Sequence, residues 1–359
     1  MKRKEYWPIL LFCGFLFAMV MGLLLLPKRD FSETEKRYLE TPPALQWDTI
    51  SSGEWGEDVE TYLADHIPGR NFFVGLNAYY DLLTGRQAAK DIWLKNGKLL
   101  EAPVKPDSGA IEKNMAKINA FADAVGGVDL MIIPSAGWAA GAAEYPDEAV
   151  ISSIYALAKG NVTPIDVMST FAGKPELFYN TDHHWVSAGA WEAYRAYMKA
   201  IGRNFRYAEE FEQEIQPDFR GSTYSRSALW LTPAEELELW HGSDGITVTN
   251  ETEMEAHAGV FYRERLEEAD KYTVFLDGNH PLVRVQNPNA KGKLLVIRDS
   301  YSNSLGCFLT ESYGEVVLVD LRYYRQSVSQ LLSQEAFDNI LVCYSIGNFL
   351  TDTNLAWLR

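Results

Sequence analysis

The stretch LFYNTDHHWVSAGAW, residues 177–191, sets one carboxylate, Asp182, beside two imidazoles, His183 and His184. A carboxylate that holds an imidazole in one tautomer makes the other ring nitrogen a general base. If the backbone here is extended, side chains two apart share a face and lie roughly 6.6 Å apart along the strand. Asp182 then reaches His184, and His183 points to the opposite face. On that spacing His184 is the base; a tight turn at Asn180-Thr181 would bring His183 inward instead. A base needs a nucleophile, and KLLVIRDSYSNSL, residues 293–305, offers one. Its apolar strand stops at Arg298, and Ser300 falls at the junction with a helical pattern carried by Leu305, Phe308 and Leu309. A serine at a strand's carboxyl end, beside unpaired helix N–H groups, can act as an activated nucleophile. The N–H of Ser300 or of Tyr301 can then help to hold a developing oxyanion. A Ser or Asp at such a junction is also an ordinary helix N-cap.

Positioning these residues is the work of the surrounding elements. The runs VDLMIIPS (128–135), VTPID (162–166), KLLVIRDS (293–300), EVVLVDLRYY (315–324) and NILVCYS (339–345) read as strands. They are apolar almost throughout and separated by helical patterns. Strands buried on both faces form mostly parallel sheets covered by helices, so the expected architecture is an α/β three-layer α/β/α sandwich. A helix over 191–202, closed by Gly202, carries the stripe Trp191, Tyr194, Met198 and Ile201, and Ser187 is placed to cap it. Residues 203–290 fit the alternation poorly and read as an insertion with its own hairpins. Upstream, apolar residues at helical spacing flank His66-Ile67-Pro68-Gly69-Arg70, which predicts two helices joined by a hydrogen-bonded turn.

Residues 6–26 are an uncharged apolar run of about the ~20 residues that a helix needs to cross a bilayer. The run ends in LLLLPKRD, without the small-residue pair of a signal cleavage site, which favours an uncleaved anchor over 6–27. Lys2, Arg3 and Lys4 before it outnumber Lys28 and Arg29 after it, which places residues 1–5 in the cytoplasm and the remainder outside. A charged connector, 28–50, ends with Pro-Pro nearby and leads to a folded domain over 51–359. The net charge of −16 argues against a nucleic-acid partner, which would need clustered Lys and Arg. Cys13 falls in the anchor; Cys307 and Cys343 read as free, buried thiols, and no Cys/His cluster suggests zinc.

Asp182-His183-His184-Trp185, together with Phe31-Ser32-Glu33, YLADHIPGR, FLDGNHP, RDSYS and VDLRYY, resembles the DHHW family. That family is similar in turn to the SGNH-hydrolase-like domains of alginate O-acetyltransferases, whose Asp-x-His precedes the serine in a permuted order. The resemblance implies that Asp182 orients, His184 is the base and Ser300 is the nucleophile. It places Arg322, Asn279 and Tyr301 as candidates for binding an acyl oxygen or sugar, with a purely structural role open for the first two. Arg298-Asp299-Ser300 departs slightly from the G-T-S or K-D-S of relatives, and Trp185 is expected to pack rather than to stack on sugar. The implied function is a membrane-anchored, extracytoplasmic O-acetyltransferase or acetylesterase acting on a cell-surface polysaccharide. It would use no cofactor or metal and would work with a multi-pass membrane-bound O-acyltransferase that supplies acetyl groups. The alternatives are a non-catalytic glycan-binding or accessory protein and a manganese phosphoesterase. The second lacks the further Asp-rich motifs that such enzymes carry.

Overall fold

The structure is a computed structural model and describes residues 6–32, 37–86, 88–89, 91–250 and 255–358. Glu33 and the basic residues Lys2, Arg3 and Lys4 lie outside the described residues. The chain packs as two compact units, one of residues 1–91 with 224–232 and the other of 92–223 with 233–359.

In the larger unit the described residues form an eight-stranded sheet. Its order is His257–Ala258, Thr247–Asn250, Leu282–Gln286, Glu315–Val319, Lys293–Arg298, Asn339–Ser345, Val128–Ile133 and Val162–Ile165. The last five run parallel, and the first three join antiparallel at one edge. Strand side chains alternate between two cores. Leu294, Val296, Met131, Leu318 and Leu341 enter one, while Leu295, Ile297, Leu130, Val317 and Val342 enter the other. This two-sided burial is what near-continuous apolar strands require. Helices Ser187–Ala200 and Ser302–Leu309 cover the first face; Ser108–Val125, Asp147–Ala156 and Val328–Gln334 cover the second. The fold is the expected three-layer α/β sandwich.

Residues 203–290 do more than form separate hairpins. Glu212–Phe219 and Glu235–His241 pair with each other, but Thr247–Asn250, His257–Ala258 and Leu282–Gln286 extend the main sheet. These edge strands are short and alternate in burial, so they lack the continuous apolar signature of the parallel ones. Ser187 is the first residue of its helix rather than the cap; Val186 takes the cap position, and the Ser187 hydroxyl donates to the Glu238 carbonyl at 2.6 Å. Cys307 and Cys343 are both free and buried, as expected.

The smaller unit begins with the apolar helix Trp7–Leu25, which is long and apolar enough to cross a membrane and is not buried. Helices Glu54–His66 and Arg70–Leu83 follow the expected helix-turn-helix. Their turn is pinned by Asp65, which accepts from Arg37 at 2.5 and 2.9 Å and from the Glu40 N–H at 2.9 Å, with the Arg70 guanidinium 3.5 Å away. The Arg37 bond holds the Asp65 carboxyl down at about 2. The His66 ring spans the Tyr62 and Arg29 carbonyls, at 2.9 and 3.3 Å, so His66 and Arg70 serve the turn itself.

Candidate active site

The strand Lys293–Arg298 ends at the sheet's carboxyl edge, and Ser300 sits in the tight turn that starts helix Ser302–Leu309. Asp299 fixes that turn. Its Oδ1 accepts from the Tyr301 N–H at 3.1 Å, while its Oδ2 accepts from the Ser345 N–H and hydroxyl and from the Asn348 amide, at 2.7–2.8 Å. A fully buried carboxylate with four donors ties the serine turn to the end of the neighbouring strand.

Residues 180–184 meet Ser300 from helix Ser187–Ala200, but not as an extended segment. The backbone bends, and the His184 N–H donates to Asp182 Oδ1 at 2.9 Å, so the carboxylate closes its own turn. The bend still brings Asp182 and His184 together, because a two-residue side-chain turn and a strand both set i and i+2 close. His183 is therefore not on the opposite face. Its ring centroid lies 3.8 Å from that of His184, and its Nδ1 is 2.6 Å from the Ser222 hydroxyl.

The result is a hydrogen-bonded chain. His184 Nδ1–H donates to Asp182 Oδ1 at 2.5 Å, and the Ser300 hydroxyl donates to His184 Nε2 at 2.9 Å. Asp182 Oδ2 accepts from the Ser222 N–H at 2.6 Å, which fixes the carboxylate from its far side. Gly221 makes this approach possible, since a Cβ there would stand 2.2 Å from Asp182 Oδ2. The 178–181 strip is itself held down: Lys98 Nζ donates to the Phe178 carbonyl at 2.8 Å, and Glu235 accepts the Asn180 and Thr181 N–H groups at 2.7 Å. Burial pushes the His184 imidazole below its usual pKa, helped by the nearby His183, while Asp182 pulls the other way. His184 therefore rests neutral, the form in which it can take a proton.

Asp182, His183 and His184 each present a ligand atom, all within 4.8 Å of one another. Asp182 Oδ1 and His184 Nδ1 are already joined by a hydrogen bond, so an ion bound through those two atoms would cost the interaction that aims the imidazole at Ser300.

The other sequence-predicted residues are placed unevenly. Tyr301 is buried against His184, with centroids 4.9 Å apart, and its hydroxyl donates to the His183 carbonyl. Its N–H is taken by Asp299, so of the two expected oxyanion donors the structure leaves the Ser300 N–H. Asn279 Oδ1 accepts from Arg298 at 3.1 Å and Asn303 at 3.2 Å, which joins the FLDGNHP loop to the serine turn. Arg322 is clamped by Asp320, with Nε and an amino group at 2.9 and 2.6 Å. Trp185 is fully buried, donates to Ser304 Oγ at 2.8 Å and stacks on Phe171, so it packs as expected.

Sequence reasoning missed Tyr272, whose ring lies flat on the His184 imidazole, 3.9 Å away and 5° from parallel. Its hydroxyl shares Ser304 Oγ with Trp185, at 2.9 Å, which locks the stack. Nothing local in KYTVF marks this tyrosine out. Gly221 carried a weak signal, because a glycine between Arg220 and Ser222 can mark a close approach.

The chain is an α/β sandwich that brings a serine, a histidine and an aspartate into hydrogen-bonded series at its sheet's carboxyl edge, and it shares its SGNH-like fold with solved structures. Residues 149–319 match the DHHW protein family, and the chain is similar to DHHW proteins as its motifs indicated. A DHHW family protein from Eubacterium siraeum is 20% identical, with a TM-score of 0.62 over 74% of this chain and 93% of that one. Bacillus cereus PatB1, solved with a sulfonyl adduct, is 19% identical, with a TM-score of 0.63 over 75% of this chain and 98% of that one. The O-acetyltransferase domain of Pseudomonas putida AlgJ is 15% identical over 74% and 94% of the two chains, at a TM-score of 0.47. No curated protein matches in sequence.

Proposed function

We propose that the protein is a serine-dependent acyltransferase or esterase that moves an acetyl group to or from a polysaccharide hydroxyl outside the cytoplasm. The observation that carries this reading is the unbroken series from Ser300 through His184 to Asp182. His184 Nε2 takes the proton as Ser300 Oγ attacks the acyl carbonyl, and Asp182 stabilises the imidazolium that forms. The bond from Oγ to the acyl carbon forms, the donor's C–O bond breaks, and His184 returns the proton to the departing oxygen. A sugar hydroxyl, or water, then reverses these roles and releases Ser300.

The Ser300 N–H and the Asn279 amide serve as oxyanion donors in this scheme. Asn279 Oδ1 is committed to Arg298 and Asn303, which turns its NH₂ away from both. Tyr301 shapes the wall beside the imidazole, and in this reading Arg322, held by Asp320, binds an anionic or carbonyl group of the substrate. The helix Trp7–Leu25 anchors the protein, and a membrane-bound O-acyltransferase supplies the acetyl group, as in the enzymes that the sequence resembles.

Sulfonyl halides react with serines that have an adjacent base, so a sulfonyl fluoride and an activated acetyl ester are suitable probes. The first should add its sulfonyl group, with loss of fluoride, and the second its acetyl group, with loss of the ester's alcohol, to the tryptic peptide that contains Ser300, and the Ser300→Ala variant should take up neither. Labelling that persists in Ser300→Ala would move the nucleophile elsewhere. A folded wild-type protein inert to both reagents would favour the accessory, glycan-binding reading.

A further inference from the structure

The helix Arg70–Leu83 carries three faces. At 100° per residue, Gly75 and Ala78 fall on one side and are buried; a Cβ on Gly75 would run into the Trp230 ring. Arg70, Asn77 and Asp81 fall on a second, polar side. Phe72, Phe73, Leu76, Tyr80 and Leu83 fall within an arc of about 100° on the third. All five are exposed, from 40% for Phe73 to 87% for Leu83. Trp230 and Leu231 extend this surface: Trp230 stacks on Phe72 with centroids 5.7 Å apart, and the Leu231 N–H is held by the Tyr79 hydroxyl at 2.7 Å. An uncovered stripe of this kind on a surface helix marks a docking face.

The same unit shows what covers it. The stripe continues onto the apolar helix Trp7–Leu25, where Phe73 meets Phe15 edge to face, with centroids 6.5 Å apart. Pro68, in the turn that precedes the helix, sits so close to Gly22 that a Cβ on that glycine would lie 2.7 Å from the proline ring. A stripe packed alongside an apolar, unburied helix of membrane-spanning length lies at the level of the lipid. Phe15 lies near the middle of Trp7–Leu25 and Gly22 near its C-terminal end, so the stripe's Phe73 meets the anchor at the depth of the acyl chains.

We infer that helix Arg70–Leu83 is a second membrane contact, with the Phe72–Leu76–Tyr80–Leu83 stripe immersed in the leaflet that the anchor leaves on its C-terminal side. It turns a single flexible tether into a fixed platform. The inference rests on the anchoring of Trp7–Leu25, and the test separates the two.

The full chain, with Cys13→Ala, is placed in phosphatidylcholine vesicles with an environment-sensitive fluorophore on Leu76→Cys, Leu83→Cys or, on the polar side, Asn77→Cys. Near-ultraviolet circular dichroism confirms that each variant is folded, and intact mass confirms that residues 7–25 are retained. Labels at 76 and 83 should shift to the blue and lose about half their emission to lipids carrying nitroxides at shallow and deep acyl-chain positions. The label at 77 should change far less. Water-like emission at 76 and 83, with the apolar helix retained and itself quenched in Leu16→Cys, would overturn the inference and leave the anchor intact. So would blue-shifted labels that lipid nitroxides do not reach, because a second copy of the chain would then cover the stripe. If Leu16→Cys is also unquenched, the anchor reading fails and this inference with it.

Discussion

His184 is held neutral by burial and aimed by Asp182, and both effects are measurable. In His184→Ala, acyl transfer from an activated ester should fall by about 10²–10⁴-fold, the usual worth of a general base. Asp182→Asn should also fall steeply, since an amide neither stabilises the imidazolium nor enforces the tautomer. His183→Ala should cost far less, because its ring meets Ser222 and not Ser300. A dead His183→Ala beside an active, folded His184→Ala would reverse the assignment. The pH dependence follows from the sign of the shift. In the proposed mechanism the base is neutral His184, so activity should rise with pH through a value below the ordinary ~6.5 and be near its plateau at neutrality. The folded state disfavours the imidazolium relative to the unfolded chain. Stability should therefore be complete above the unfolded value and be lost as pH falls below about 6.5, toward and through the lower folded one. A rate profile with its midpoint above 6.5 would show that Asp182 outweighs burial.

At the scale of elements, two loops and one strand end converge on the Asp182–His184–Ser300 series. Gly221→Ala should push the Asp182 carboxylate off its bonds, since the new methyl would overlap it. A displacement near 1 Å can cost roughly 10²-fold in rate, so acylation should drop by at least about tenfold while the fold persists. Ser222→Ala, one residue on, keeps the N–H that holds Asp182 and should be nearly silent. Asp299→Ala should instead destabilise, by about 3 kcal/mol in chemical denaturation, because it strands buried donors of Tyr301, Ser345 and Asn348. These contrasts also mark what the sequence could disclose. The five parallel strands were readable because burial on both faces leaves an unbroken apolar run. Asp182, His184 and Ser300 were readable because residue type and strand-end position narrow the choices. The bend at 180–184 was not, since a side-chain turn and a strand both bring i and i+2 together. Tyr272 was not either: its place on His184 bridges an 88-residue separation, which no local pattern encodes.

For the whole molecule, the decisive feature is that the long apolar helix has little protein cover, limited to contacts such as Phe15 with Phe73 and Gly22 with Pro68. Trp7–Leu25 has a mean hydropathy of 2.5 and buries none of its length, whereas a core helix of that composition would be wrapped on all sides. Its 19 residues span about 28 Å at 1.5 Å per residue, close to the thickness of a bilayer's hydrocarbon. Two outcomes are compatible with that helix, a retained anchor and a removed leader, and the basic residues on its N-terminal side favour the large unit outside in both. Membrane fractionation distinguishes them: a retained anchor keeps the chain in the pellet through high salt and alkaline carbonate, and only detergent releases it. Protease added to intact cells should then destroy the sheet-bearing unit, residues 92–223 with 233–359, and leave a short membrane-bound fragment carrying the N-terminus. Full protection of the chain until the cells are lysed would place the serine site in the cytoplasm. That result would contradict the proposed polysaccharide substrate even if Ser300 still took up an acetyl group.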